Sequence, residues 1–238
     1  MNVVGVVHAR GGSRRVPLKN IKELAGKPLV AYIIQAALAA ETIDRVVIST
    51  DHPEITKVSK AYGAEVPFVR PRELAEDVPS ELVTQHMVGY LEKEEHYPVD
   101  IAVTFQPTTP FCLPEDIDGC VHELIASGAD SVISVGEITE RPEWMFYLDE
   151  SGYAHNFLGE KIEGDKGISQ ELPRLYIPNG GIYATRRDVL FDQNALIGEK
   201  TRLWVMPRER SVDIDEPLDF LFAEFLIEQR LVTKIEPE

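Results

Sequence analysis

Four cations, Arg10, Arg14, Arg15 and Lys19, fall within ten residues and are threaded around Gly11, Gly12 and Ser13. They follow directly on the apolar run Val3-Val4-Gly5-Val6-Val7, so a buried strand opens into a glycine-rich, positively charged loop. Adjacent glycines allow backbone conformations closed to other residues, which lets successive N–H groups turn inward on an anion, while arginine and lysine supply the charge. The chemistry this suggests is the cradling of a triphosphate. A Walker loop requires Gly-x-x-x-x-Gly-Lys-Ser/Thr and a dinucleotide fingerprint requires Gly-x-Gly-x-x-Gly. Neither can be laid over Gly11 to Asn20. The structural alternative is an ordinary strand-to-helix turn with solvated arginines.

A second constellation lies near the other terminus, in Ser211-Val212-Asp213-Ile214-Asp215-Glu216-Pro217. Residues two apart in an extended segment share a face, so Asp213 and Asp215 point one way while Val212 and Ile214 point into the protein. Two carboxylates on one face call for a cation. Hard oxygen ligands completed by water and substrate phosphates describe a Mg²⁺ site. Asp215 is also placed to cap a closing helix that carries Pro217 in its first turn. Two weaker signals are Gln106-Pro107-Thr108-Thr109-Pro110, whose carboxamide and hydroxyls suit a polyol, and Tyr176-Ile177-Pro178-Asn179-Gly180-Gly181, whose glycines allow close approach of backbone to a ligand. The six histidines show no metal spacing, and His8, beside the cradle, is read as a packed strand-end residue.

These groups must be positioned by regular elements. Apolar runs alternate with helical periodicities: strands over 2–8, 45–49, 65–69, 101–105 and 131–135, and helices over 28–40, 53–62 and 114–127. Repeated β–α–β units predict a mostly parallel sheet with covering helices, and ligands at the carboxyl ends of its strands. Arg10, Asp51 and Gln106 all lie just beyond such ends. From 136 to 176 the pattern breaks into aromatic and polar pieces, with Trp144 to Leu148 and the turn Asp149-Glu150-Ser151-Gly152 predicting a hairpin. An apolar hairpin too small for its own core needs a partner surface, either a second subunit or its own domain. Strands at 181–184 and 203–206 and a helix over 217–229 close the chain, with Pro237-Glu238 frayed. The expected division is a nucleotidyltransferase domain of residues 1–135 and 177–238, with 136–176 inserted as a dimerisation excursion.

The chain has 238 residues, enough for one large α/β domain without disulfide support, and a formal charge of -16. That charge repels nucleic acid and anionic lipid and makes the basic loop a local exception, pointing to a small anionic ligand. Cys112 and Cys120 are expected as separate thiols. The first apolar run is too short for a signal core or a membrane span, so a cytoplasmic protein is expected.

Taken together, Ala9-Arg10-Gly11-Gly12-Ser13-Arg14, Pro17-Leu18-Lys19-Asn20, Ser49-Thr50-Asp51, Arg70-Pro71, Gln106-Pro107-Thr108, Pro178-Asn179-Gly180 and Asp213-Ile214-Asp215 resemble the acylneuraminate cytidylyltransferases. The resemblance implies a three-layer α/β/α Rossmann-like nucleotidyltransferase fold. It implies a homodimer in which each excursion reaches the other active site, and transfer of CMP from CTP to the anomeric hydroxyl of a nonulosonic acid with Mg²⁺. Carried over residue by residue, Arg10 and Lys19 would hold the triphosphate and Asp213 and Asp215 the metal. Ala9, Gly11, Gly12, Ser13, Arg14, Asn20, Arg70 and Ser80 would bind the nucleotide; Gln106, Thr108, Thr109, Asn179 and Gly180 would bind the sugar. Arg70 has a structural alternative as a fixed edge-strand arginine. The chain departs from the family at Ser169, Ile177 and Cys112, where arginines are common, which points to an acceptor other than sialic acid itself. Two rival readings are a sugar-1-phosphate nucleotidyltransferase using another base and a non-catalytic nucleotide-binding regulator.

Overall fold

The computed structural model describes residues 1–159 and 173–232. In β1 (Val3–His8) the side chains alternate in service: Val3 and Val7 enter one core, Val4 and Val6 another. Both faces of this strand are therefore covered, as its unbroken apolar run requires. A small antiparallel pair, β2 (Glu23–Leu24) and β3 (Lys27–Pro28), leads into α1 (Leu29–Ala39), then β4 (Arg45–Ser49) and α2 (Pro53–Ala61). Next come α3 (Ser80–Glu94), β5 (Ile101–Phe105), α4 (Pro114–Ser127) and β6 (Ser131–Ile138). A hairpin of β7 (Phe146–Leu148) and β8 (Ala154–Asn156) precedes β9 (Leu175–Arg186), α5 (Arg187–Asp192), β10 (Thr201–Met206) and α6 (Pro217–Glu228).

The central sheet runs β10-β6-β9-β5-β1-β4. Strand β1 is parallel to β4 and β5, and β10 to β6, whereas β9 is antiparallel to both its neighbours. Ile33, Ile34, Ile117 and Val121 of α1 and α4 fill one face, and Met87, Val88, Leu91 and Leu190 of α3 and α5 fill the other. This is the three-layer α/β/α arrangement. A third cluster joins Val16 of the basic loop, Phe111, Ile214 and Phe220 of α6, and so ties the two ends of the sequence together.

Three expectations are corrected. The strand over 65–69 reduces to one parallel bridge between Val47 and Glu65, because Pro67 has no N–H for a ladder. Helix α3, with Val83, Met87, Val88 and Leu91 on its buried face, adds an element that the sequence pattern does not announce. The predicted strand 181–184 is the end of a twelve-residue β9 whose first residues, Leu175 to Pro178, pair with Ile138 to Val135. The hairpin is present, but Phe146, Leu148, Tyr153 and Phe157 are exposed, so it does not fold back on its own domain. Ser169 and Pro237-Glu238 lie outside the described residues. Cys112 and Cys120 are buried, unbridged thiols, both pushed up in pKa by burial. Among the described residues no helix is long and apolar enough to cross a membrane.

Candidate active site

Beyond the carboxyl ends of β1 and β5 opens a cleft of about 680 Å³. Its floor begins where β1 ends. Ala9 N–H donates to Ser49 O (3.0 Å), and Gly11 N–H donates to Asp51 Oδ1 (2.8 Å), so Asp51 fixes the start of the basic loop. Asn20 Nδ2 closes the loop by donating to Arg10 O (2.9 Å). Neither Gly11 nor Gly12 adopts the left-handed conformation expected of them; the left-handed residue is Leu18, at φ 49°. What Gly11 supplies is room, since a Cβ there would lie 2.9 Å from the His52 side chain.

The acidic pair arrives from the other terminus. Ile214 is fully buried, and its N–H donates to Thr108 O (2.8 Å), which fixes the 213–215 segment against the loop after β5 and leaves both aspartates open to the cleft. Lys19 Nζ donates to Ile214 O (2.7 Å) and to Asp215 Oδ1 (3.0 Å), and Arg15 reaches Asp215 Oδ2 (3.2 Å). Residues nearly two hundred positions apart thus share one cavity. Asp215 is not the helix cap: Glu216 holds that position, and Asp219 Oδ2 accepts from the N–H groups of Asp215 and Glu216. The Asp215 carboxylate is left free to face the cations.

The two carboxyls are driven apart in pKa. The hydrogen bond from Lys19 holds Asp215 below the usual carboxylate range, against its partial burial. Burial by the cleft walls raises Asp213, the charge of Asp215 adds to the rise, and Thr108 and Lys19 oppose it. The repulsion from Asp215, which adds to the rise that burial causes, is what a divalent cation would relieve. Two carboxylates offer hard oxygen donors to the cleft, and an ion held by them would complete its shell from water and phosphate oxygens, as Mg²⁺ does. The donor set fits that ion.

Arg70, Leu74, Val78, Ser80, Val83 and His8 also line the cleft. The Arg70 guanidinium is buried: Nε donates to Ser49 Oγ (2.9 Å) and a terminal nitrogen to Ser49 O (2.5 Å). Burial lowers its pKa to about 10, opposed by Asp51. His8 bonds Thr84 Oγ1 (2.9 Å), which in turn bonds Thr104 Oγ1 (2.8 Å). Burial, then Arg70, push its imidazole down to about 3.

Of the residues singled out in the sequence, Arg10, Ser13, Arg14, Lys19, Asn20, Arg70, Ser80, Gln106, Thr108, Asp213 and Asp215 line this cleft. Thr109 and Asn179 stand behind its wall. Thr109 Oγ1 donates to Asn179 O, Asn179 Oδ1 accepts from Ser134 Oγ (2.6 Å) and Gly181 N–H (3.1 Å), and Asn179 Nδ2 reaches Ser211 Oγ (3.1 Å). Their polar atoms are committed to the protein. Gly180, at φ 77°, lets the chain pass Gln106, where a Cβ would lie 3.3 Å from Oε1. Ala9 is buried, and Gly11 and Gly12 do not line the cleft. Phe111 and Cys112 are also buried, so no charge at those positions could face a ligand here. Arg174 is engaged with Glu137 at 3.8 Å.

His8 is the packed strand-end histidine expected beside the cradle and also lines the cleft, whereas Glu76 and Asp77, from the connection before α3, line it without having been singled out in the sequence. A second cavity of about 370 Å³ adjoins at Ser80 and Gln106 and continues to Tyr183, Asn194, Leu196 and Ile197.

Residues 4–200 match the family described as Cytidylyltransferase. The chain is 35% identical to the CMP-N,N'-diacetyllegionaminic acid synthase of Legionella pneumophila, over 96% of this chain and 97% of that protein. It is 31% identical to the pseudaminic acid cytidylyltransferase of Campylobacter jejuni, over 93% and 94%. It is 32% identical to N-acylneuraminate cytidylyltransferase A of Danio rerio, over 94% of this chain and 50% of that one. In three dimensions it is similar to a CMP:2-keto-3-deoxy-manno-octonic acid synthetase solved with CTP, with a TM-score of 0.69, 21% identity and coverage of 97% and 100%, a likeness of fold.

Proposed function

The chain belongs to the cytidylyltransferase family, and on that premise we propose that it transfers CMP from CTP to the anomeric hydroxyl of a nonulosonic acid of the legionaminic or sialic type, releasing pyrophosphate. The observation that carries this reading is the 3.0 Å contact of Lys19 with Asp215, which sets a cationic cradle and an acidic pair around a single cleft. Arg10, Arg14, Arg15 and Lys19 would bind the triphosphate and neutralise the charge that develops on the leaving pyrophosphate. Arg70 and Ser80, with Leu74 and Val78 as apolar walls, would take the cytidine end. Gln106 would orient the acceptor, whose body would occupy the adjoining cavity beside Tyr183, so that its hydroxyl approaches the α-phosphorus in line. Asp213 and Asp215 would hold Mg²⁺, which when bound supplies charge neutralisation at the phosphates being separated.

The exposed apolar hairpin supports a homodimer, with the hairpin of each copy covered by the other. The acceptor reading is tested by crossing CTP, UTP and ATP with nonulosonic acids and with sugar 1-phosphates while following pyrophosphate release. Release with CTP and a nonulosonic acid is expected. Release confined to a sugar 1-phosphate would overturn it, and CTP binding without release from any acceptor would favour a regulator.

A further inference from the structure

None of the four cradle cations stands unopposed. Lys19 and Arg15 face Asp215, while Arg10 and Arg14 share one carboxylate from elsewhere: Arg10 lies 2.5 Å from Asp77 Oδ1 and Arg14 2.9 Å from Asp77 Oδ2. Asp77 sits in the connection between the 3₁₀ turn Arg72–Leu74 and α3. The ends of that connection are fixed, by the bond of Arg70 to Leu74 O on one side and by Ser80 opening α3 on the other. Its middle borders the cleft: Glu76, Asp77 and Val78 all line the cavity.

A carboxylate whose two oxygens each bind one guanidinium presents those arginines with the pattern that two phosphate oxygens would offer. Arg10 and then Arg14 keep Asp77 below the usual carboxylate range, so it remains anionic wherever a nucleotide would be. Its side chain is half exposed, at 52%, so its ion pairs are weak enough to exchange. A polyphosphate that reaches Arg10 and Arg14 must displace it, and brings more charge and more acceptor oxygens than a single carboxylate.

We infer that Asp77 is an internal competitor for the phosphate cradle, yielding Arg10 and Arg14 to an incoming polyphosphate and reclaiming them as pyrophosphate leaves. This rests on the reading of the cleft as a triphosphate site and adds to it a residue that governs product release. Competition of this kind weakens every ligand that uses both arginines and leaves a ligand without phosphates unaffected.

The test is calorimetric titration of the full chain and of its Asp77→Asn and Asp77→Ala variants with tripolyphosphate, pyrophosphate, CTP and cytidine. Both variants should bind the three phosphate ligands more tightly, by roughly three- to tenfold at low salt, with the difference shrinking as salt is raised. Cytidine affinity should not change, and pyrophosphate should become the stronger inhibitor of turnover. Weaker or unchanged polyphosphate binding in variants that melt at the wild-type temperature would show that Asp77 orients the arginines or is a bystander, and would overturn the inference alone. Failure of the wild-type chain to bind any of the phosphate ligands would instead remove the cradle reading on which it rests.

Discussion

At Asp213 and Asp215 two neighbouring carboxyls of one type receive different environments. Asp215 is held ionised by Lys19, and Asp213 is raised by burial and by its neighbour. Asp215→Asn should cut turnover by roughly 10²-fold or more while changing CTP affinity much less, as expected of a group that acts mainly in the transition state. Comparison of kcat with the equilibrium Kd for CTP checks this, and equal losses in both would reassign Asp215 to ground-state binding. His8 supplies a pH signature. In the folded chain its imidazole titrates near 3, whereas in the unfolded chain it takes a proton near 6.5. Stability contributed by His8 is therefore present above about pH 6.5 and lost as pH falls toward 3, at no more than about 1.4 kcal/mol per pH unit. Urea unfolding at pH 7 and pH 5 should show a shallower fall in the His8→Leu variant. At this scale the sequence was most legible where charge was involved, because the four cations and two aspartates announce themselves by type and spacing. Thr109 and Asn179 misled because hydroxyl and amide groups serve ligands and internal bulges equally well.

Among the elements, the bulge in β9 shapes the wall behind Gln106. The register of β9 against β6 shifts between Ile133 and Val135, and Asn179 spans the irregularity with bonds to Ser134, Gly181 and Ser211. Gly181 is required beside it, since a Cβ there would sit 2.7 Å from Cys112 Sγ. Asn179→Ala would leave buried partners unsatisfied and should destabilise the fold by about 1–3 kcal/mol. Chemical denaturation gives that number directly, and a loss below about 0.5 kcal/mol would show that the bulge holds without the amide. The strands of the parallel half were readable from unbroken apolar runs buried on both faces. Helix α3 escaped because its apolar residues are diluted by polar ones, and its start at Ser80 follows a proline-rich connection that gives no periodic signal. The length of β9 was hidden by Pro178, which truncates a strand on paper but here faces Val135 at the edge of a register shift.

Across the whole molecule, a chain carrying -16 gathers four cations in the loop after β1, where the cluster of Val16, Phe111, Ile214 and Phe220 joins the first and last thirds of the sequence. The fold class and the cleft's place at the strand ends follow from β–α–β order. The close approach of Lys19 and Asp215 could not be read from spacing and depends on that cluster. The apolar hairpin predicts a second whole-molecule property: sedimentation should show a dimer at micromolar concentration, and Phe146→Glu with Leu148→Glu should convert it to monomer. A monomeric wild-type chain would remove the proposed pairing. The most direct test of the central claim is diffraction from crystals grown with CTP and Mn²⁺, using the anomalous signal to find the ion. A peak beside Asp213 and Asp215 is expected, with the triphosphate lying against Arg10 and Lys19; nucleotide bound elsewhere, or an ion remote from both aspartates, would contradict a shared phosphate and metal cleft.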